Sequence, residues 1–187
     1  MDQQLLDWIV AHRTAWLDHV AFALKDIGQS PVSDVAVVLG TLIATVRRRQ
    51  WAWGLGMCLA AVGALVVSAL GKAIVARPRP PLEDALLKAH GWSMPSSVAL
   101  LCAALGVALI AGWDTGGRPH RRSSIAVVVA IAAVYGWAVV YLGAHWVSDV
   151  LVGWALGIAV GAASVVVARW VVDEVTRRRP RPGAVSG

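Results

Sequence analysis

Three short segments of the chain carry side chains suited to handling a phosphate. The first, residues 72–80, holds Lys72, Arg77 and Arg79, with Pro78 and Pro80 between and after the arginines. A proline disfavours helix in the residue before it, so Arg77 and Arg79 should sit on extended backbone. A guanidinium meets phosphate as a planar fork and an ammonium as a point charge, which suits this set to anion binding. The second segment, Pro95, Ser96, Ser97 and Val98, stands at the front of an apolar run. Ser96 or Ser97 can cap that helix, and the free N–H groups of a helix start attract anions. The third holds His145 and Asp149. Four apart on a helix they share a face, so the carboxylate can fix the imidazole tautomer and stabilise its charged form. Singly these signals are ordinary: a serine cap is usually only a cap, and a His–Asp pair is more often structural. No acidic cluster accompanies the cations, so no metal and no cofactor is expected.

The elements that must position these residues are membrane helices. Of 187 residues 58% are hydrophobic and 15% charged, against about 25% charged in an ordinary soluble domain. A bilayer core takes ~20 apolar helical residues to cross. Residues 50–71, 93–113, 123–144 and 150–168 are uncharged runs of about that length, and residues 28–46 are broken only by Asp34. The runs are continuous rather than alternating, which excludes a β-barrel reading. The expected fold is therefore all-α, a polytopic membrane bundle of five strong spans. Residues 1–27, with Asp2, Asp7, Arg13, Asp18, Lys25 and Asp26 among apolar neighbours, read as an amphipathic interfacial segment or a short sixth helix. They lack the basic start and clean apolar core of a cleavable signal peptide. Cys58 and Cys102 both lie in apolar runs, so no disulfide framework is expected.

Basic residues recur in clusters: Arg47, Arg48 and Arg49; Arg118, Arg121 and Arg122; then Arg177, Arg178, Arg179 and Arg181. Two crossings separate each cluster from the next, so all three can face the cytoplasm, as the positive-inside rule prefers. That pattern of short clusters under a net charge of +6 argues against nucleic-acid binding. Lys72, Arg77, Arg79 and Lys88 then fall on the side that should be poor in basic residues. They mark a phosphate site there or a rim for lipid headgroups. Residues 173–187 read as a basic cytoplasmic tail, disordered from residue 177. Gly153, Gly157 and Gly161 line one face of the last span. That face serves packing within the chain or contact with a second copy or a membrane partner.

In this order, the motifs resemble the type 2 phosphatidic acid phosphatase superfamily, the membrane lipid phosphatases related to vanadium haloperoxidases. The family pattern is K-x6-R-P, then P-S-G-H, then S-R-x5-H-x3-D. Lys72, Arg79 and Pro80 match the first motif, Pro95 and Ser96 half of the second, and His145 and Asp149 the end of the third. The likeness covers roughly residues 28–172. It implies a helical bundle with a metal-free phosphoryl-transfer site and a lipid phosphate or diphosphate ligand. His145 would attack phosphorus, Asp149 would orient it, and Lys72, Arg79 and Ser96, helped by Arg77 and Ser97, would hold the phosphoryl oxygens.

The chain departs from the pattern at four positions: Ser97 and Val98 stand for Gly-His, and Ala138 and Val139 for Ser-Arg. Val98 removes the family's general acid, and Val139 removes a phosphate-binding arginine; Arg77, Lys88 or His90 would have to fill those roles. Three readings follow. One is a weakened lipid phosphatase, acting on a polyprenyl or other lipid (di)phosphate at the outer leaflet through a phosphohistidine. The others are a pseudoenzyme or partner subunit that binds lipid phosphate, and a lipid transport or presentation protein. In every case the site should face away from the cytoplasm. An Ala85→Cys variant lacking Cys58 and Cys102 should react with an impermeant thiol reagent in intact cells; labelling only after permeabilisation would reverse this orientation.

Overall fold

The structure is a computed structural model that describes residues 1–113 and 121–178. Arg118, His120, Arg179 and Arg181 lie outside the described residues. Seven helices account for most of the described chain: α1 (Asp2–Ala11), α2 (Ala15–Gly28), α3 (Pro31–Arg48), α4 (Trp51–Val75), α5 (Ser97–Trp113), α6 (Arg121–Tyr141) and α7 (Val147–Arg178). The protein is an all-α, multi-pass membrane protein. Helices α4, α6 and α7 are each long and apolar enough to cross a bilayer. Helices α2 and α3 qualify as a pair, bent by 47° at the break between them, and α5 is a shorter apolar helix. The N-terminal segment is thus two helices rather than one.

Local chemistry accounts for the boundaries. Helix α3 starts where Pro31 supplies the first helical residue and the Ser30 hydroxyl accepts the Val32 N–H at 3.2 Å. Helix α4 outlasts its uncharged run by a turn, so Lys72 is helical, and the chain leaves α4 through a left-handed Ala76. Helix α5 begins later than the apolar run, at Ser97, because Pro95 and Ser96 precede its first turn. Helix α6 stops at Tyr141, ahead of Gly143, whose φ of +72° suits glycine. Helix α7 spans 32 residues, about 48 Å at the α-helical rise, against a ~30 Å hydrocarbon core. Arg177 and Arg178, expected to begin a disordered tail, are instead its last turn.

The core lies where α4, α5 and α7 meet along small residues. Ala60 and Ala64 of α4 pack with Leu100, Ala104 and Ala108 of α5. Gly153, Gly157 and Gly161 are buried against α5: a Cβ on Gly157 would sit 2.3 Å from the Leu100 carbonyl oxygen, and one on Gly161 2.6 Å from that of Ala104. Of the two uses expected for the glycine face, packing within the chain is the one the structure shows: α5 of the same chain fills it, leaving no room there for a second copy or a membrane partner. The α3–α4 turn and the end of α7 lie at one end of the bundle, and the segments after α4 and α6 lie at the other.

Gly157→Val should destabilise the protein by about 1–3 kcal/mol, the usual cost of overpacking a tight core. Gly40, where an added Cβ meets no atom within 4 Å, should accept alanine without loss. Unfolding in detergent compares the two, and equal stability would refute the packing argument.

Candidate active site

Residues 142–146 connect α6 to α7 and present His145, which the sequence reading had put on a helix. The His145 N–H and the Ala144 N–H both donate to the Val139 carbonyl, at 3.2 and 3.0 Å. Gly143 lets this turn approach residues 84 and 85, where a Cβ would lie 2.8 Å from the Ala85 Cα. Arg13 clamps the same corner, donating to the Asp84 and Tyr141 carbonyls at 2.7 Å each.

Asp149 sits in the first turn of α7 with no solvent exposure. Its Oδ2 accepts the Trp146 N–H at 2.9 Å, which satisfies a donor at the helix start. The same oxygen lies 3.5 Å from His145 Nδ1, long for a hydrogen bond but within ion-pair range. Its Oδ1 accepts from Arg77 Nη1 at 2.7 Å. Arg77 is therefore not a free phosphate ligand: its other amino group meets Asp2 of α1 at 2.7 Å, and Nη1 also donates to the Ser148 hydroxyl at 2.6 Å. Ser148 in turn donates to Asp2. Burial works against the charge on Asp2, but the bonds from Arg77 and Ser148 outweigh it and hold the carboxyl below its ordinary pKa. Asp2 is the residue that sequence reasoning missed. A single acidic residue in a mixed amphipathic segment carries no signal of a partner 75 residues away.

Two cations face the imidazole. Arg79 Nη1 donates to the Ala144 carbonyl at 2.6 Å and stands 3.5 Å from His145 Nε2. Its Nε donates to the carbonyls of His90 and Gly91 at 3.2 and 3.1 Å. Lys72 reaches the Trp92 carbonyl at 2.8 Å, and its charge acts on His145. Residues 90–92 thus hold both cations through main-chain oxygens. Fully buried Ser93 fixes the arginine segment, its N–H donating to the Arg77 carbonyl at 2.9 Å and its hydroxyl to that of Pro78 at 3.0 Å.

Ser96 and Ser97 separate in role. Ser96 is fully buried ahead of α5, and its N–H donates to the Asp149 carbonyl at 3.1 Å. The Ser97 hydroxyl is instead engaged with Ser68 of α4 at 2.7 Å. Lys88 and His90 are exposed, and His90 contributes only its carbonyl to the site. Neither side chain is hydrogen-bonded or ion-paired to a site residue among the described residues. Val139 is buried with Ala99, Val140 and Val150, packed against Ile9 of α1. Among the described residues, no group of three His, Cys, Asp or Glu side chains could hold a metal ion.

This arrangement places the His145 Nε2 beside two positive charges, with a carboxylate on the far side of the ring. The PAP2 superfamily model matches residues 51–173. Two solved structures are similar. The first transmembrane PAP2 type phosphatidylglycerolphosphate phosphatase from Bacillus subtilis superposes with a TM-score of 0.76 at 25% identity, covering 95% of this chain and 87% of that one. Aquifex aeolicus LpxE superposes with a TM-score of 0.70 at 23% identity, over 87% of this chain and 93% of its own. No curated protein sequence matches.

Burial, then the charges of Arg79 and Lys72, push the His145 pKa below its ordinary value, against the pull of Asp149. The folded protein thus binds fewer protons here than the unfolded chain. The stability this gives is complete above about pH 6.5 and is lost as pH falls through the lower folded value. Histidine NMR titration, assigned with His145→Gln, should find this depressed midpoint, and Arg79→Ala should raise it. A midpoint at or above the ordinary value would refute a neutral imidazole at this position.

Proposed function

The chain belongs to the PAP2 superfamily and has the fold of its membrane lipid phosphatases, and from that we propose that it is a weakened lipid diphosphatase working through His145. The observation that carries the proposal is the flanking of His145 by Arg79 on Nε2 and Asp149 on Nδ1. The neutral imidazole attacks phosphorus through Nε2 and expels the lipid-bearing oxygen, forming a phosphohistidine that water then cleaves. Lys72 and Arg79 stabilise the charge on the phosphoryl oxygens, the main task in phosphoryl transfer. Asp149 compensates the imidazole as it gains charge. Arg77 is committed to Asp149 and Asp2, so it acts by holding the carboxylate rather than by binding phosphate.

The leaving group selects the substrate. A lipid monophosphate expels an alkoxide, which needs a proton that Val98 cannot give. A lipid diphosphate expels a phosphate ester, a far weaker base, so the missing acid matters less. A polyprenyl diphosphate on the non-cytoplasmic side fits best. The burial of Val139 favours one second reading, a protein that binds lipid phosphate without hydrolysing it, because the chain fills the family's arginine position with packed core.

Phosphate release from a polyprenyl diphosphate should exceed release from phosphatidate, survive a chelator, and vanish in His145→Ala. Val98→His should raise monophosphate cleavage far more than diphosphate cleavage, by up to the 10²–10⁴-fold typical of general-acid help. Equal gains would overturn the leaving-group argument, and activity persisting in His145→Ala would overturn the nucleophile. A silent parent revived by Val98→His would favour the binding protein.

A further inference from the structure

A hollow of about 500 Å³ opens between α3, α4, α5 and α6 and runs from the middle of the bundle to the end opposite His145. Trp53 lines it and Lys72 marks the catalytic end of the same helix, 19 residues on and so about 28 Å away. The volume falls in the ~300–1,000 Å³ range of ligand sites, which are mostly apolar and often sit between the helices of bundles. Its walls are apolar, including Ala44, Met57, Leu105 and Ile131, while Arg48 and Gln50 stand at one end. Gly40 forms part of the wall on α3, where a Cβ would meet nothing within 4 Å. A second hollow of about 220 Å³ adjoins the same end and is lined by Arg49, Arg169 and Trp53. Among the described residues no Asp or Glu lines either hollow. The Trp53 indole N–H, which lies between them, is buried with no hydrogen-bond partner among the described residues.

We propose that this is a binding site for one anionic glycerophospholipid from the leaflet at the Arg47, Arg48 and Arg49 end. Its acyl chain enters the α3–α6 hollow and its phosphate rests on Arg48 and Arg49. Three observations select this occupant. The hollow lies among apolar helices, and α3 shows exposed Val38, Leu42 and Ile43 to the surroundings, so access is through the bilayer. The hollow's volume of about 500 Å³ would hold only about one turn of a second chain's helix, ~10 Å across with its side chains. Arg48, Arg49 and Arg169 line this end, and basic side chains at the mouth are how pockets between membrane helices take anionic headgroups. The site is separate from the phosphoryl-transfer centre and does not depend on its activity.

The test is lipid retention. Protein from vesicles of equal phosphatidylglycerol and phosphatidylcholine is extracted in mild detergent with excess inorganic phosphate, which occupies the Lys72–Arg79 site. Retained lipid is then counted by mass spectrometry. The parent should keep about one phosphatidylglycerol per chain and little phosphatidylcholine. Gly40→Leu, which fills the hollow with a better helix former, should lose the lipid, while Gly40→Ala should keep it. Arg48→Gln should weaken retention of phosphatidylglycerol about fivefold, matching one basic residue at an anionic surface. Equal retention of the two lipids, or parental retention by both Gly40→Leu and Arg48→Gln, would overturn the proposal.

Discussion

The architecture of the site rests on one buried charge. Asp149 has no contact with solvent, and an uncompensated carboxylate in such a place costs several kcal/mol. Its compensation recruits residues from across the chain: Trp146 through a backbone N–H, Arg77 through a guanidinium, and His145 through its ring. Arg77 brings Asp2 with it, so the first helix is tied to the start of the last one by the same requirement. The carboxylate that faces the His145 ring and the docking of α1 on the start of α7 are thus parts of a single arrangement.

That arrangement changes the meaning of the two arginines in residues 72–80. They are two residues apart and chemically identical, yet Arg77 turns inward to the carboxylate while Arg79 faces the imidazole from the side where phosphorus would approach. The carbonyls of residues 90–92 and of Ala144 keep Arg79 and Lys72 from pairing with the nearby acid. Fixed cations held by neutral dipoles retain their charge for a ligand, the preorganisation on which electrostatic catalysis relies.

The two sides of the bundle have separate chemistry. On one side, small residues let α4, α5 and α7 approach closely over their length, from Gly153 near the buried acid to Gly161 and Ala108. On the other, α3 stands off from α5 and α6, and apolar surface that a soluble protein would have to bury can stay open to lipid. Tight packing where geometry decides the chemistry and loose packing where the bilayer can fill the gap are both stable solutions in this solvent.

The sequence by itself determined the membrane class and the approximate helices, and its motif spacing picked out the four side chains that the fold groups around His145, because long apolar runs and motif spacing are local signals. Lys72, Arg79, His145 and Asp149 could be named from their types and order. The helix ends were less legible: His145 left the helix because Gly143 and the Val139 carbonyl set a turn there. Only the tertiary structure decided what the partners were. The bonds of Asp2 and Arg77, the diversion of Ser97 to Ser68, and the filling of the glycine face by α5 all depend on contacts between distant segments. Residue type states which bonds a side chain can make, and the fold decides which of its possible partners comes within 3 Å.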